Sequence, residues 1–236
     1  MLPYQGHILT NFDDALSQIR ETTIGMGSGT QRNLNNAIRG LIERDKSLCN
    51  AAIADDEDRL EVAIDHLGMR ILTKYRPLAT DLRMVITSMK VASHLERISD
   101  QALSIAKRSR KVIKNSEIKE ALKVEGLYKV SSEMLANALT AYADTNPELA
   151  LSIIESEKKL KKCHKATSRV FSKTLESETE QYRDYLDLVF ICRWLERVGD
   201  LAINIAEEVV FEETSTDIRR GGELPAELTN KTTEES

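Results

Sequence analysis

Leu95-Glu96-Arg97-Ile98-Ser99-Asp100-Gln101-Ala102-Leu103-Ser104-Ile105-Ala106 returns one hundred residues later as Leu195-Glu196-Arg197-Val198-Gly199-Asp200-Leu201-Ala202-Ile203-Asn204-Ile205-Ala206, with seven of the twelve positions identical. Self-similarity at a fixed spacing is the mark of a duplicated structural unit. A weaker echo upstream pairs Ala37, Leu48 and Ile53 with Ala138, Leu149 and Ile154, so the likeness covers most of each half. A chain of 236 residues has room for two domains at the usual size of about 100–150 residues each.

Within the repeat, Val91, Leu95, Ile98 and Ala102 recur at intervals of 4, 3 and 4, the spacing of one helix face. Leu60, Ile64, Leu67 and Ile71 do the same. Only 10 glycines and 4 prolines interrupt a sequence rich in Leu, Ala, Glu and Lys, residues that cost little in a helix. The fold class expected is all-α, each half packing about three helices round its own core. Asn146-Pro147-Glu148 has the form of a helix start, with a capping side chain, a proline at the first helical position and an acid in the first turn. Asp45 is its counterpart in the first half, and Pro77 divides two further helices because proline lacks an amide proton and disfavours helix in the residue before it. These signals predict helices over 8–44, 46–75, 77–113, 117–144, 147–178 and 180–213. They divide the chain into a first bundle at 1–115, a second at 116–214 and a mobile polar tail at 215–236. Gly25, Gly27 and Gly29 predict a kink or break in the first helix, since each costs about 1 kcal/mol relative to Ala.

Thirty-three basic against 38 acidic residues give a net charge of −5, the wrong sign for a surface that tracks nucleic-acid phosphates. The opening residues lack a secretory pattern and no run reaches the ~18–20 apolar residues of a membrane span, so a cytoplasmic protein is expected. Cys49, Cys163 and Cys192 have no metal-binding spacing and read as small buried hydrophobes.

On a helical wheel of about 100° per residue, Glu96, Asp100 and Ser104 lie opposite the apolar stripe of their helix, and Glu196, Asp200 and Asn204 repeat the arrangement. Both sets are expected to face outward. Oxygen ligands stacked in this way suit a hard cation such as Mg²⁺, Mn²⁺ or iron, and Glu57, Glu61 and Asp65 form a second acidic row that could complete the shell. In the second half the corresponding stretch is basic, with Lys158, Lys161, Lys162 and Lys165. Ordinary surface pairing explains the acids equally well, because Arg97, Arg193 and Arg197 each stand three residues before one of them. The competing weight comes from recurrence in both halves.

The repeated segment resembles the signature of the PhoU family, Leu-Glu-Arg-Ile-Gly-Asp followed by Ala, Asn, Ile and Ala. Arg76-Pro77-Leu78-Ala79-Thr80-Asp81-Leu82-Arg83 is similar to a further family stretch, and Glu207-Glu208-Val209-Val210-Phe211 with Asp217-Ile218-Arg219 to the family's ending. The resemblance implies two three-helix bundles related by pseudo-twofold symmetry, assembled as a homodimer or higher oligomer. It implies a non-enzymatic negative regulator of phosphate uptake, peripheral to the membrane through its partners, the phosphate ABC transporter ATPase and the phosphate sensor histidine kinase. It also implies metal binding at Glu96 and Asp100, and at Glu196, Asp200 and Asn204. Ser99 stands where the family has Gly and Ser104 where it has Asn, which weakens the first-half site.

Against this stands a carboxylate-bridged di-metal oxidase in a helical bundle. Such sites use Glu-x-x-His on core faces, and no Glu-x-x-His occurs in the sequence. His66, His94 and His164 read as surface or packing residues. No phosphate-binding Gly-x-x-x-x-Gly-Lys loop or Gly-x-Ser-x-Gly elbow is present. The same residues also admit a regulator of a different phosphate carrier and a purely structural helical spacer.

Overall fold

The computed structural model describes residues 4–54, 58–115, 118–177 and 180–219. Among these the chain forms α1 (Tyr4–Ile42), α2 (Lys46–Ala54), α3 (Asp58–Tyr75), α4 (Ala79–Val112), a 3-10 turn (Lys119–Lys123), α5 (Val124–Asp144), α6 (Pro147–Glu155), α7 (Glu157–Ser177) and α8 (Tyr182–Thr214), with no strand. In the first half α1, α2, α3 and α4 pack together, and α5, α6, α7 and α8 repeat the arrangement in the second. The two halves meet chiefly where α4 lies along α8. The core is continuous through that contact, with Leu95, Ile98, Ile105, Leu195, Val198 and Ile205 all fully buried.

The start signals act as the sequence implies. The Asn146 side chain accepts a hydrogen bond from the Leu149 amide at 2.9 Å, and Pro147 is the first residue of α6. Asp45 accepts from the Ser47 amide at 2.7 Å and opens α2. Pro77 lies outside α4, whose first residue is Ala79, because Leu78 is extended (φ −125°, ψ 160°).

The middle element of each half, expected as one helix over 46–75 and 147–178, is two. In the second half the break falls at Ser156, whose amide bonds to the Ile153 carbonyl at 3.0 Å while its hydroxyl bonds back to Ser152 at 3.0 Å. A hydroxyl that bonds to its own preceding turn competes with the helical ladder and bends it. Conversely, α1 runs unbroken through Gly25, Gly27 and Gly29, so no break falls there. At Gly27 the glycine serves packing: a Cβ there would stand 2.4 Å from Leu139 Cδ2 on α5. Leu60 also departs from expectation. Ile64, Leu67 and Ile71 are buried, whereas Leu60, in the first turn of α3, is 36 % exposed. The core stripe therefore begins one turn later.

Beyond α8 the chain turns back at Ser215, in the left-handed region at φ 57°, and buries Ile218. Of the stretch expected as a tail, residues 215–219 are thus folded against α8, and 220–236 lie outside the described residues. Cys49 and Cys192 are fully buried, as expected for small hydrophobes. Burial pushes their thiols up to about 11 and about 12.

Candidate functional site

The repeated acidic stripe was expected to face outward in both halves. In the second half it does not. Glu196 is only 8 % exposed, because α7 closes over this side of α8. Its approach is possible at Gly199, where a Cβ would meet Leu160 Cδ2 at 2.4 Å. His164 on α7 then places Nδ1 at 3.1 Å from Glu196 Oε1, and Arg193 donates to Oε2 at 2.5 Å. Both carboxylate oxygens are engaged by protein groups. Asp200 is half-buried, with Arg197 at 3.9 Å. Burial first, then the Glu196 charge, raises its carboxyl, while Arg197, Lys161 and Arg193 oppose the shift. Asn204 is half-buried one turn further along. The second-half donors, as arranged, do not fit a metal ion: the one buried acid is already bound by two basic side chains, and Lys161, paired with Glu157, lies close enough to favour the charged form of Asp200.

In the first half Glu96 and Ser104 are half-buried and Asp100 is exposed on α4; on α3, Glu61 is half-buried and Asp65 exposed. Glu57 lies outside the described residues. Among the described residues no three His, Cys, Asp or Glu side chains gather into a group able to hold a metal ion.

A second constellation went unnoticed in the sequence. Glu208 and Glu212, one turn apart on α8, are each 3 % exposed. Glu208 takes Lys90 of α4 at 2.9 Å and Arg219 at 3.2 Å. Glu212 is paired with Arg20 of α1, whose other terminal nitrogen donates to the Tyr142 carbonyl of α5 at 2.5 Å. Arg83 of α4 donates to the Glu212 main-chain carbonyl at 2.7 Å, and Ser88 shares a 2.7 Å hydrogen bond with the Tyr142 hydroxyl. At the opposite end of the α4–α8 contact, Arg108 pairs with Asp187, and Asn115 donates to both Asp184 oxygens at 2.7 and 2.9 Å. The polar seam thus fastens the two bundles at both ends of their long contact. One signal could have revealed it: Leu201, Ile205, Glu208 and Glu212 continue a 4-3-4 spacing in which acids replace apolar residues.

The two outlying stretches that resembled the family, 76–83 and 207–219, therefore meet in space through Arg83 and the Glu212 carbonyl. Comparison with known proteins agrees. The PhoU domain model matches residues 23–109 and again 124–209, one copy in each bundle. The chain belongs to the PhoU family. It is similar to the phosphate-specific transport system accessory protein PhoU homolog of Zymomonas mobilis, 33 % identical over 226 residues, with 94 % of this chain and 95 % of that protein covered. The Escherichia coli K12 accessory protein PhoU is 29 % identical over 229 residues, covering 95 % of each. The crystal structure of PhoU from Pseudomonas aeruginosa superposes with a TM-score of 0.83 at 30 % identity, over 87 % of this chain and 100 % of that one.

This PhoU-family chain also presents an apolar row to solvent. Tyr182, Leu186, Phe190 and Trp194 follow one another at four-residue intervals along α8, the first three 46 %, 42 % and 39 % exposed. Phe190 and Trp194 stack with ring centroids 6.0 Å apart, and the Arg108 guanidinium lies 4.2 Å from the Phe190 centroid and 5.2 Å from that of Trp194. Among the described residues no helix is long and apolar enough to cross a membrane. His94, expected as a packing histidine, is half-buried on α4 with Nδ1 buried and unpartnered; His164 is instead the partner of Glu196.

Proposed function

We propose that this protein is a cytoplasmic accessory protein of phosphate transport, a non-enzymatic negative regulator that restrains uptake and the phosphate-starvation response when phosphate is plentiful. The observation that carries this reading is likeness along almost the whole chain, in both repeats, to proteins named for the phosphate-specific transport system. In this reading it acts as an adaptor between the transporter ATPase and the sensor histidine kinase, working as a homodimer or larger assembly. Helix-face recognition suits such a task, and the Tyr182–Leu186–Phe190–Trp194 row is the kind of surface on which it operates. Adaptor work needs no turnover, and Glu196 of the second-half stripe is engaged by Arg193 and His164, an arrangement unlike the facing carboxylates of a di-metal oxidase.

A hard cation at the first-half row of Glu96 and Asp100, in this reading, would have to draw Glu61 and Asp65 of α3 toward them, since the four do not gather into a metal-holding group as they stand. Metal content of the purified protein should fall on changing Glu96→Gln with Asp100→Asn and stay unchanged on Glu196→Gln.

The role is tested by affinity capture of the tagged protein from phosphate-rich and phosphate-starved cells. Recovery of a phosphate-transporter ATPase or sensor kinase, in amounts that change with phosphate, is expected. Recovery of a different phosphate carrier in their place would reassign the regulator to that carrier, and capture of neither would refute the adaptor role.

A further inference from the structure

At the corner where α1 gives way to α2, the end of α4 passes alongside and leaves a cleft of about 310 Å³ lined by Lys46, Lys107, Arg110, Lys111 and Lys114. All five lining residues are cationic, in a chain whose net charge is −5. Among the described residues none of the five makes an ion pair, although the acids elsewhere on the molecule are widely paired. Lys107, Arg110 and Lys111 stand three or four residues apart in the last turns of α4, where like charges repel one another, and Lys114 follows just beyond its end. Helix-dipole compensation accounts for Arg110 and Lys111, in the last turn of α4. It does not account for Lys46, which occupies the first turn of α2, where the dipole disfavours a cation.

The cleft is also held in shape. Arg44 donates from Nη2 to the carbonyls of Ile113 and Asn115, both at 2.8 Å, and so ties the turn carrying Lys46 to the end of α4. On the other side of that turn, Gly40 lets α1 approach α2 so closely that a Cβ would stand 2.4 Å from Cys49 Sγ.

We propose that this cleft is a binding site for a small anion carrying two or more phosphoryl groups. Its volume lies at the lower end of the range for small-ligand sites, about 300–1,000 Å³, and the net charge of −5 disfavours a nucleic-acid duplex as its occupant. A single phosphoryl group carries only about −1.5 to −2 charge at neutral pH and would leave most of the five cations uncompensated. A chain of phosphoryl groups spans them, with Arg110 offering a two-pronged donor and the lysines movable point charges. The site rests on this geometry alone. Its use as a reporter of phosphate status would rest on the accessory role proposed above.

Calorimetric titration of the purified chain at about 0.15 M salt, where exposed charges are screened beyond about 8 Å, tests the site with tripolyphosphate, pyrophosphate, orthophosphate and citrate. Saturable binding of one tripolyphosphate per chain is expected, tighter than pyrophosphate, with orthophosphate and citrate weakest. Lys107→Gln with Lys111→Gln, both exposed positions, should weaken tripolyphosphate about tenfold or more, as loss of two charge-assisted contacts requires. The control Lys123→Gln with Lys173→Gln should bind as the native chain does, and circular dichroism should show both variants folded. Absence of saturable binding, citrate binding as tightly as tripolyphosphate, or affinity that survives the cleft variant would each overturn the proposal. None of these outcomes depends on a transporter or kinase, so the accessory role stands or falls separately.

Discussion

Replacing Arg20 by Met should loosen the two bundles and do so in a pH-dependent way. The native side chain is 18 % exposed and its partner Glu212 3 %. It also bonds the Tyr142 carbonyl and lies 4.9 Å from the centroid of that ring. Met keeps much of the apolar stem and removes the charge. Taking away one partner of a buried pair costs about 3–5 kcal/mol. Because Arg20 retains some contact with water and the Arg83 charge still favours ionised Glu212, the lower end, about 3 kcal/mol, is expected at pH 7. A second route gives the same figure. The stranded Glu212 can escape by taking up a proton, and holding a carboxyl of ordinary value 4.5 neutral at pH 7 costs about 3.4 kcal/mol, at about 1.36 kcal/mol per unit.

That escape fixes the sign of the pH dependence. Burial already raises the Glu212 carboxyl in the native protein, against the charge and hydrogen bond of Arg20. An acid raised on folding binds its proton more readily in the folded state, so its contribution falls as pH rises from its unfolded value through its folded one. Without Arg20 the carboxyl rises further. The deficit of the variant relative to the native chain should therefore shrink by up to about 1.36 kcal/mol per unit as pH falls from 7 toward 5. Urea unfolding followed by circular dichroism at pH 5, 6 and 7 reads this directly. Adding Glu212→Leu should recover most of the loss, because replacing a whole buried pair with apolar groups is often nearly neutral. A deficit under about 1 kcal/mol at pH 7, or one equal at pH 5 and 7, would refute the assignment of Arg20 and Glu212 as the fastening between the bundles.

Two glycines of α1 and α8 should respond oppositely to alanine. Gly25→Ala, with nothing within 4 Å of the new Cβ, should raise stability by about 0.5–1 kcal/mol, whereas Gly199→Ala, which drives a Cβ into the fully buried Leu160, should lower it by about 1–3 kcal/mol in the same urea assay. His94 is held down at about 4, first by burial and then by the charges of Arg97, Lys90, Arg197 and Arg219. A base depressed on folding costs stability as pH falls through its ordinary value of 6.5, so the native chain should lose up to about 1 kcal/mol per unit between there and pH 4, after allowance for water around the ring. His94→Gln should flatten that slope. Of the three thiols, the half-exposed Cys163 should react first with a thiol reagent at pH 8, while Cys49 and Cys192, both buried and pushed up to about 11 and 12, react only on unfolding.

The repeat and the helical period were enough to read two helical units, since both are local properties that the backbone imposes on sequence. What lay between units was harder to see. The break at Ser156 leaves no mark in the apolar period, and the partners in the Arg20–Glu212 and Lys90–Glu208 pairs stand more than a hundred residues apart.

Glu196 shows how a correct wheel can still give a wrong exposure. The wheel fixes the angle between an acid and the core of its own helix, and Glu196 does lie away from Leu195 and Val198. It says nothing about a neighbour arriving on the other side. The clue was the glycine three positions on: a helix tolerates the cost of Gly199, about 1 kcal/mol relative to Ala, where a close approach would force a neighbour to shift for any Cβ, and here that neighbour is Leu160 on α7. The helix that needs Gly199 also carries His164 to Glu196. In the first half the equivalent position is Ser99, whose half-buried side chain is accommodated, and Glu96 on that side remains only half-buried. The single exchange of Gly for Ser at equivalent positions thus goes with two differently covered stripes, one enclosed by a basic helix and one still open to water at Asp100. A shared motif does not carry a shared site when the residue that admits the neighbouring helix differs.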